Sequence, residues 1–136
     1  MIWSELDREC AEKIMNLRIK TDDGNTYWVE QDGSEPHYHC HFSTDLESAT
    51  VVADEILNRA KGAGAPLKGT YYTMVRSSSG WAVGFHIGPW GLELDDPNTR
   101  GIYKHRGYSG KAKDESLPKA ICMAALNALK FYKGEK

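Results

Sequence analysis

The hydrophobic pattern near the start of the chain is typical of an amphipathic helix. Apolar side chains recur there at four-residue intervals, at Leu6, Cys10 and Ile14. Ser4 and Asp7 precede and enter this run with the spacing of a capping box. The pattern therefore predicts a first helix over residues 5–16.

A longer apolar stripe predicts a second helix. Its members recur with helical periodicity, at Leu46, Ala49, Val52, Ala53, Ile56 and Ala60. Thr44 and Glu47 have the spacing of a capping box, and Asp45 adds a negative charge where the helix dipole is positive. Gly62-Ala63-Gly64 marks the expected end of this helix.

The third predicted helix begins near Asp114–Pro118, where acidic residues and a proline suit a first turn, and runs to about Lys133. One of its faces is made of small residues, at Ala120, Ala124, Ala125 and Ala128. Because small side chains permit close approach, this face is expected to pack tightly on a sheet or on a second subunit.

Two segments rich in β-branched and aromatic residues predict β-hairpins. The first pairs residues 17–20 with 26–31 around Asp22–Asn25, and the second pairs residues 70–76 with 81–87 around Ser77–Gly80. The order helix, hairpin, helix, hairpin, loop, helix predicts an α+β fold. We expect a mostly antiparallel sheet with three helices packed on it as a layered sandwich.

Length and composition predict one domain over residues 1–136, which is long enough to bury its own core. No apolar run approaches the roughly 20 residues of a membrane helix, and the N-terminus lacks the features of a secretory signal. The three cysteines are dispersed and odd in number, which favours a reducing compartment. We therefore expect a cytoplasmic protein without membrane contact.

Charge is concentrated in Pro97–Lys113, which we call the basic segment. It holds five of the 17 basic residues and no acidic residue, which leaves 12 basic against 19 acidic residues elsewhere. Such an island attracts anions, and its glycines predict a turn-rich loop around a small ligand. The net charge of −2 argues against a protein that coats polymeric nucleic acid.

Side chains in and near the basic segment indicate how a nucleotide would bind. Arg100, Arg106 and Lys104 would hold phosphates, since a guanidinium group can grip a phosphate through paired hydrogen bonds. Trp90 and Tyr103 would stack on the base or wall it. The predicted ligand-binding set is completed by Asn98, Phe85, His39 and His41. Phe85 also fits the core, because it lies on the predicted strand 81–87.

The segment His37–His41 contains three histidines and Cys40. In an extended strand the three imidazoles would share one face, as metal ligands can, but no downstream Cys/His pair completes a site, and we predict no metal. Cys40 beside a histidine resembles a nucleophile with its base, although adjacent strand side chains face opposite sides. No GxxxxGK[ST], GxGxxG, HExxH or GxSxG motif occurs, so neither catalysis nor a bound cofactor is predicted.

Four blocks of sequence resemble a known family. In order they are LDRECAEKIM, FSTDLESATVVADEI, GWAVGF and ESLPKAICMAALNAL, about 50 residues in all. They are similar to the phage ABA sandwich domain proteins, and the PKAICMAAL stretch at Pro118–Leu126 is the most specific part. The chain departs from the short members in its longer segment 88–113 and its expanded region before Phe42.

One branch that the chain resembles is that of the Thoeris anti-defence sponges. Those proteins oligomerise and sequester cyclic ADP-ribose isomers made by bacterial TIR-domain enzymes, some also hold cyclic oligonucleotides, and none performs chemistry on the ligand. The resemblance implies a homo-oligomeric phage protein that acts in the cytoplasm of the infected bacterial host. The main alternative is a protein-interaction module that inhibits a host enzyme directly. An enzyme using His39, Cys40 or His41 is a third.

Overall fold

The computed structural model describes residues 4–33, 36–37, 40–62, 70–88, 90–93, 102–105 and 108–132. Its elements are α1 (Glu5–Glu9), a π-helical turn (Cys10–Ile14), β1 (Leu17–Asp22), β2 (Asn25–Glu30), β3 (Pro36–His37), α2 (Leu46–Gly62), β4 (Tyr71–Ser77), β5 (Gly80–Ile87), β6 (Trp90–Glu93), β7 (Ile102–His105), β8 (Tyr108–Asp114) and α3 (Leu117–Tyr132). Within these residues the strands form antiparallel sheets in the orders β1–β2–β3, β4–β5–β8 and β6–β7. The predicted α+β class is confirmed.

Only one of the two hydrogen bonds of the predicted capping box forms at the start of the first helix. The Asp7 N–H donates to Ser4 Oγ at 3.2 Å, which is the N-cap half of the expected capping box. The Asp7 carboxylate does not complete the box. It is buried and accepts a hydrogen bond from the Ser43 N–H at 2.7 Å, which joins α1 to the segment before α2.

The second half of the predicted first helix is π-helical. The Met15 N–H donates to the Cys10 carbonyl, five residues back, at 2.9 Å. The wider turn accommodates Cys10 and Ile14, which are fully buried. Asn16 follows in the left-handed region with φ of 56°, a conformation that commonly ends helices.

The capping box predicted for the second helix is wrong. The Thr44 hydroxyl donates to the His41 carbonyl at 3.4 Å instead of capping the helix. Asp45 takes that role, because its carboxylate accepts from the Ser48 N–H at 3.2 Å and from Ser48 Oγ at 2.6 Å. The predicted stripe of α2 is buried from Ala49 to Ala60, whereas Leu46 at its start is exposed.

Both predicted hairpins are confirmed. Asp23 and Gly24 form the β1–β2 turn with φ of 48° and 81°, the two positive values that a type I′ turn requires. Ser78 and Ser79 connect β4 to β5, with Ser77 paired to Gly80.

The prediction that the basic segment is a loop is wrong for two parts of it. Ile102–His105 forms β7, and Tyr108–Asp114 forms β8, which pairs with β5 in the β4–β5–β8 sheet. Glycine is usually unfavourable in strands, and here it serves close packing. A Cβ on Gly110 would lie 2.6 Å from Ala128 Cα and 2.7 Å from the Ala124 carbonyl oxygen.

The small-residue face of α3 therefore packs on the sheet. Ala120, Ala124 and Ala128 are fully buried, and α3 lies against β8 and β5 while α2 packs against α3. Helix α3 begins at Leu117, within the predicted range Asp114–Pro118, and Pro118 lies in its first turn. The acidic first turn that was expected is absent, because Asp114 ends β8. None of the helices in the described part of the chain is long and apolar enough to span a membrane.

Candidate functional site

The face of the β4–β5–β8 sheet that points away from α3 is the candidate site. Strand side chains alternate, so Val83 and Phe85 of β5 are buried toward α3, and the residues between them point to the opposite face. We call this opposite side the outer face. Its described side chains include Tyr71, Thr73, Val75, Ala82, His86, Lys111 and Lys113.

Polar side chains from all three strands converge over one glycine of the outer face. The register places Gly84 of β5 between Thr73 of β4 and Lys111 of β8. The position that a Cβ of Gly84 would take lies 3.3 Å from His86 Nε2, 3.5 Å from Thr73 Oγ1 and 3.9 Å from Lys111 Cγ. The missing side chain thus lets these groups close over the backbone as one polar cluster, here called the Gly84 cluster.

An aromatic pair adjoins the Gly84 cluster. The rings of Tyr71 and His86 are stacked, with centroids 4.9 Å apart and planes inclined by 22°. Tyr71 is 48% exposed, so part of its surface is accessible to a ligand. A planar base can stack on such a ring whatever its identity, since each base has a π-surface.

The outer face is positively charged. Lys111 and Lys113 alternate along β8 and are exposed, and neither forms an ion pair with any carboxylate that the structure describes. Because strand side chains alternate, Asp114 points to the opposite face from Lys111 and Lys113, and its carboxylate pairs with Lys119 at 3.7 Å. Among the described side chains of these three strands, the outer face has no acidic group to oppose an anionic ligand.

Two lysines of the basic segment lie on a strand of the sheet and not in the predicted loop. Lys111 and Lys113 belong to the basic segment, and strand pairing places Lys111 opposite Gly84, two residues along β5 from His86, and Lys113 opposite Ala82, two residues further. Tyr71 and His86 were not predicted as site residues. The two-residue turn at Ser78–Ser79 is a signal that leads to them, because the register it sets places Tyr71 opposite His86.

Of the predicted ligand-binding residues, four lie outside the described residues and three are placed on strands β6 and β7. Asn98, Arg100, Arg106 and His39 are not among the described residues. Trp90 lies on β6, and Tyr103 and Lys104 lie on β7. The register places Trp90 opposite His105 and Tyr103 opposite Leu92, so the two predicted stacking residues occupy neighbouring strands.

Two predicted residues are described in full. Phe85 has no exposed surface, and its ring packs against Tyr72 with centroids 5.4 Å apart, so it belongs to the core on the side facing α3. His41 is half-buried ahead of α2, where its carbonyl accepts hydrogen bonds from the N–H groups of Thr44 and Asp45.

The environment of Cys40 disfavours nucleophilic chemistry. The side chain is buried, and burial together with the charge of Asp7 raises the pKa of its thiol to about 11. Since the thiolate is the reactive form, this thiol is almost entirely neutral at pH 7. Within the described ranges, no three His, Cys, Asp or Glu side chains are grouped as metal ligands would be.

Comparisons with known proteins gave no match. No family model, curated protein or solved structure matched this chain.

Proposed function

We propose that the protein binds a small anionic nucleotide at the outer face and holds it without chemical change. The observation that carries the proposal is the Gly84 cluster together with the adjoining Tyr71–His86 pair: an exposed tyrosine is stacked on His86, and Lys111 lies in the next row of a face that has no acidic group among the described side chains of its three strands. Aromatic stacking area combined with uncompensated positive charge is the usual means of holding bases and phosphates.

Each group in the site has a distinct role in this proposal. The base stacks on the exposed ring of Tyr71, and the phosphates are attracted by Lys111 and, one row further along the sheet, by Lys113. Thr73 Oγ1 and His86 Nε2 both lie within 3.5 Å of the position that a Gly84 Cβ would take, and in this proposal they hydrogen-bond ribose or phosphate oxygens. In this proposal the ligand is held without chemical change and is released intact.

The resemblance to Thoeris anti-defence sponges narrows the ligand to a cyclic ADP-ribose isomer, with cyclic oligonucleotides as a second class. In this proposal the chain is a phage protein that removes an immune signal in the cytoplasm of the infected host. Arg100, Arg106 and Lys104 would add phosphate contacts and Trp90 and Tyr103 would add stacking surface, as the sequence predicts.

A thermal-shift titration with cyclic ADP-ribose isomers tests this function. A ligand that binds only the folded state raises the melting temperature, and a ligand at 100 times its Kd adds about 2.7 kcal/mol. Heating the complex and identifying the released nucleotide by mass spectrometry then distinguishes binding from catalysis. Return of the unaltered nucleotide is expected, whereas an altered product would identify an enzyme.

Matched lysine variants locate the binding surface. Lys111→Ala should weaken nucleotide binding by about 1–2 kcal/mol, because it removes a charged partner of the phosphate. Lys20→Ala, which removes an exposed lysine of β1 in the β1–β2–β3 sheet, is the control and should bind normally. Equal affinities of the two variants would exclude the outer face as the site.

The protein-interaction module remains the competing function. It predicts no melting shift with any nucleotide tested, together with a stable complex between the chain and a host enzyme. The two functions are therefore separated by the same titration.

A further inference from the structure

Strand β4 is an edge of its sheet with an unusual surface. The sheet order β4–β5–β8 leaves one side of β4 without a partner strand among the described residues. Edge strands are commonly protected by charged residues, prolines or bulges, because unpaired backbone groups otherwise recruit another strand. The seven residues of β4, YYTMVRS, contain one charge and no proline.

Apolar exposure is concentrated on this strand. Val75 is 58% exposed, Tyr71 48% and Met74 43%, and these are three of the five large hydrophobic residues exposed in the described part of the chain. A cluster of such residues on one edge is typical of a surface that another protein covers.

The hairpin determines which backbone groups point outward. A two-residue turn at Ser78–Ser79 makes Ser77 and Gly80 a hydrogen-bonded pair. Hydrogen-bonded and non-bonded pairs alternate along an antiparallel ladder, so the backbone groups of Tyr72, Met74 and Arg76 face the open edge. Met74 is the midpoint of the strand. If a second β4 pairs antiparallel with Met74 opposite Met74, the outward backbone groups of all three residues form hydrogen bonds and the strands overlap over their whole length.

Charge complementarity favours a second copy of this chain as the partner strand. In the pairing about Met74, Arg76 of one copy lies opposite Tyr72 of the other. Burial, and after it the nearby negative charge of Asp54 on α2, raises the pKa of the Tyr72 hydroxyl, which places Asp54 in the neighbourhood of that side chain. Arg76 itself is exposed over the Trp81 ring, 5.5 Å from its centroid, so its charge is available to a neighbour.

We propose that two copies of this chain pair antiparallel through β4, centred on Met74, with Arg76 of each copy facing Asp54 of the other. The result is a continuous six-stranded sheet that joins the two outer faces. Met74 meets its own counterpart on the side of the helices, and Val75 meets Thr73 of the other copy on the outer face.

Sedimentation velocity over a wide range of concentrations tests the proposal. The protein should be a dimer that dissociates on dilution. Asp54→Arg and Arg76→Asp should each weaken the dimer about tenfold or more, because each creates two like-charge contacts. The double variant Asp54→Arg/Arg76→Asp restores opposite charges and should recover most of the affinity. Lys20→Asp makes a charge change of the same sign and size as Arg76→Asp on another sheet and should have no effect.

Cross-linking provides a second measurement that does not depend on charge. Directly opposite hydrogen-bonded residues have Cα atoms about 5.5 Å apart, so Met74→Cys should be joined to its counterpart by a short bifunctional maleimide. The native cysteines are buried and should not react. Thr21→Cys on β1 is the exposed control and should remain uncross-linked.

A protein that stays monomeric at every concentration would overturn the proposal. A dimer whose dissociation constant is the same in Asp54→Arg, Arg76→Asp and the wild type would also overturn it. Failure of the double variant to recover affinity, or equal cross-linking of the Met74→Cys and Thr21→Cys proteins, would refute the pairing about Met74.

Discussion

Replacing Gly110 with alanine should separate α3 from the sheet that carries the candidate site. The new Cβ would lie 2.6 Å from Ala128 Cα and 2.7 Å from the Ala124 carbonyl oxygen, well inside normal contact distance. Both neighbours are helix backbone, so no side-chain rotation can relieve the overlap and α3 must move. Overpacking typically costs 1–3 kcal/mol, and we expect a loss near the upper end, about 3 kcal/mol.

Thermal unfolding followed by circular dichroism measures this loss. At roughly 3 °C per kcal/mol for a domain of this size, the melting temperature should fall by about 10 °C. Gly84→Ala is the matched control, because its Cβ would meet the ends of movable side chains, His86 Nε2 at 3.3 Å and Thr73 Oγ1 at 3.5 Å. Its free energy of unfolding should change by less than about 1 kcal/mol. Similar melting temperatures for both variants would refute the packing of α3 on Gly110.

Two further predictions concern buried polar groups. Asp7→Ala should lower the free energy of unfolding by about 1–3 kcal/mol, because the Ser43 N–H loses its acceptor; urea denaturation measures this, and an unchanged midpoint would contradict it. The thiol of Cys40 has its pKa raised from 9.0 to about 11 in the folded protein, so the unfolded chain ionises first as pH rises. The free energy of unfolding should therefore be intact below pH 9 and fall between about pH 9 and 11. Cys40→Ala should reduce that fall, and an identical pH profile for the variant would contradict the assignment.

The elements governed by local sequence were largely predictable. The apolar stripe of α2 and the Asp23–Gly24 turn follow from short-range patterns, and both appear where expected. Alternative caps were harder to distinguish, because Thr44 and Asp45 are both good capping residues. The contact of Thr44 with His41 decides between them, and that contact is visible only in the folded structure.

The candidate site was less predictable because it depends on long-range pairing. Glycine and lysine disfavour strands, so β8 was predicted as loop, yet Gly110 is required there by the close approach of α3. Pairing of β5 with β8 then brings Lys111 beside Gly84. Nothing in the local sequence specifies that register, whereas the Tyr71–His86 pair follows directly from the hairpin turn.

Mapping a bound nucleotide by NMR tests the central claim most directly. Titration of the isotope-labelled protein with a cyclic ADP-ribose isomer should shift the backbone amide signals of Thr73, Gly84, His86 and Lys111, while signals from the β1–β2 hairpin stay in place. Saturable shifts confined to other elements, or no shifts at millimolar ligand, would contradict binding at the outer face of the sheet.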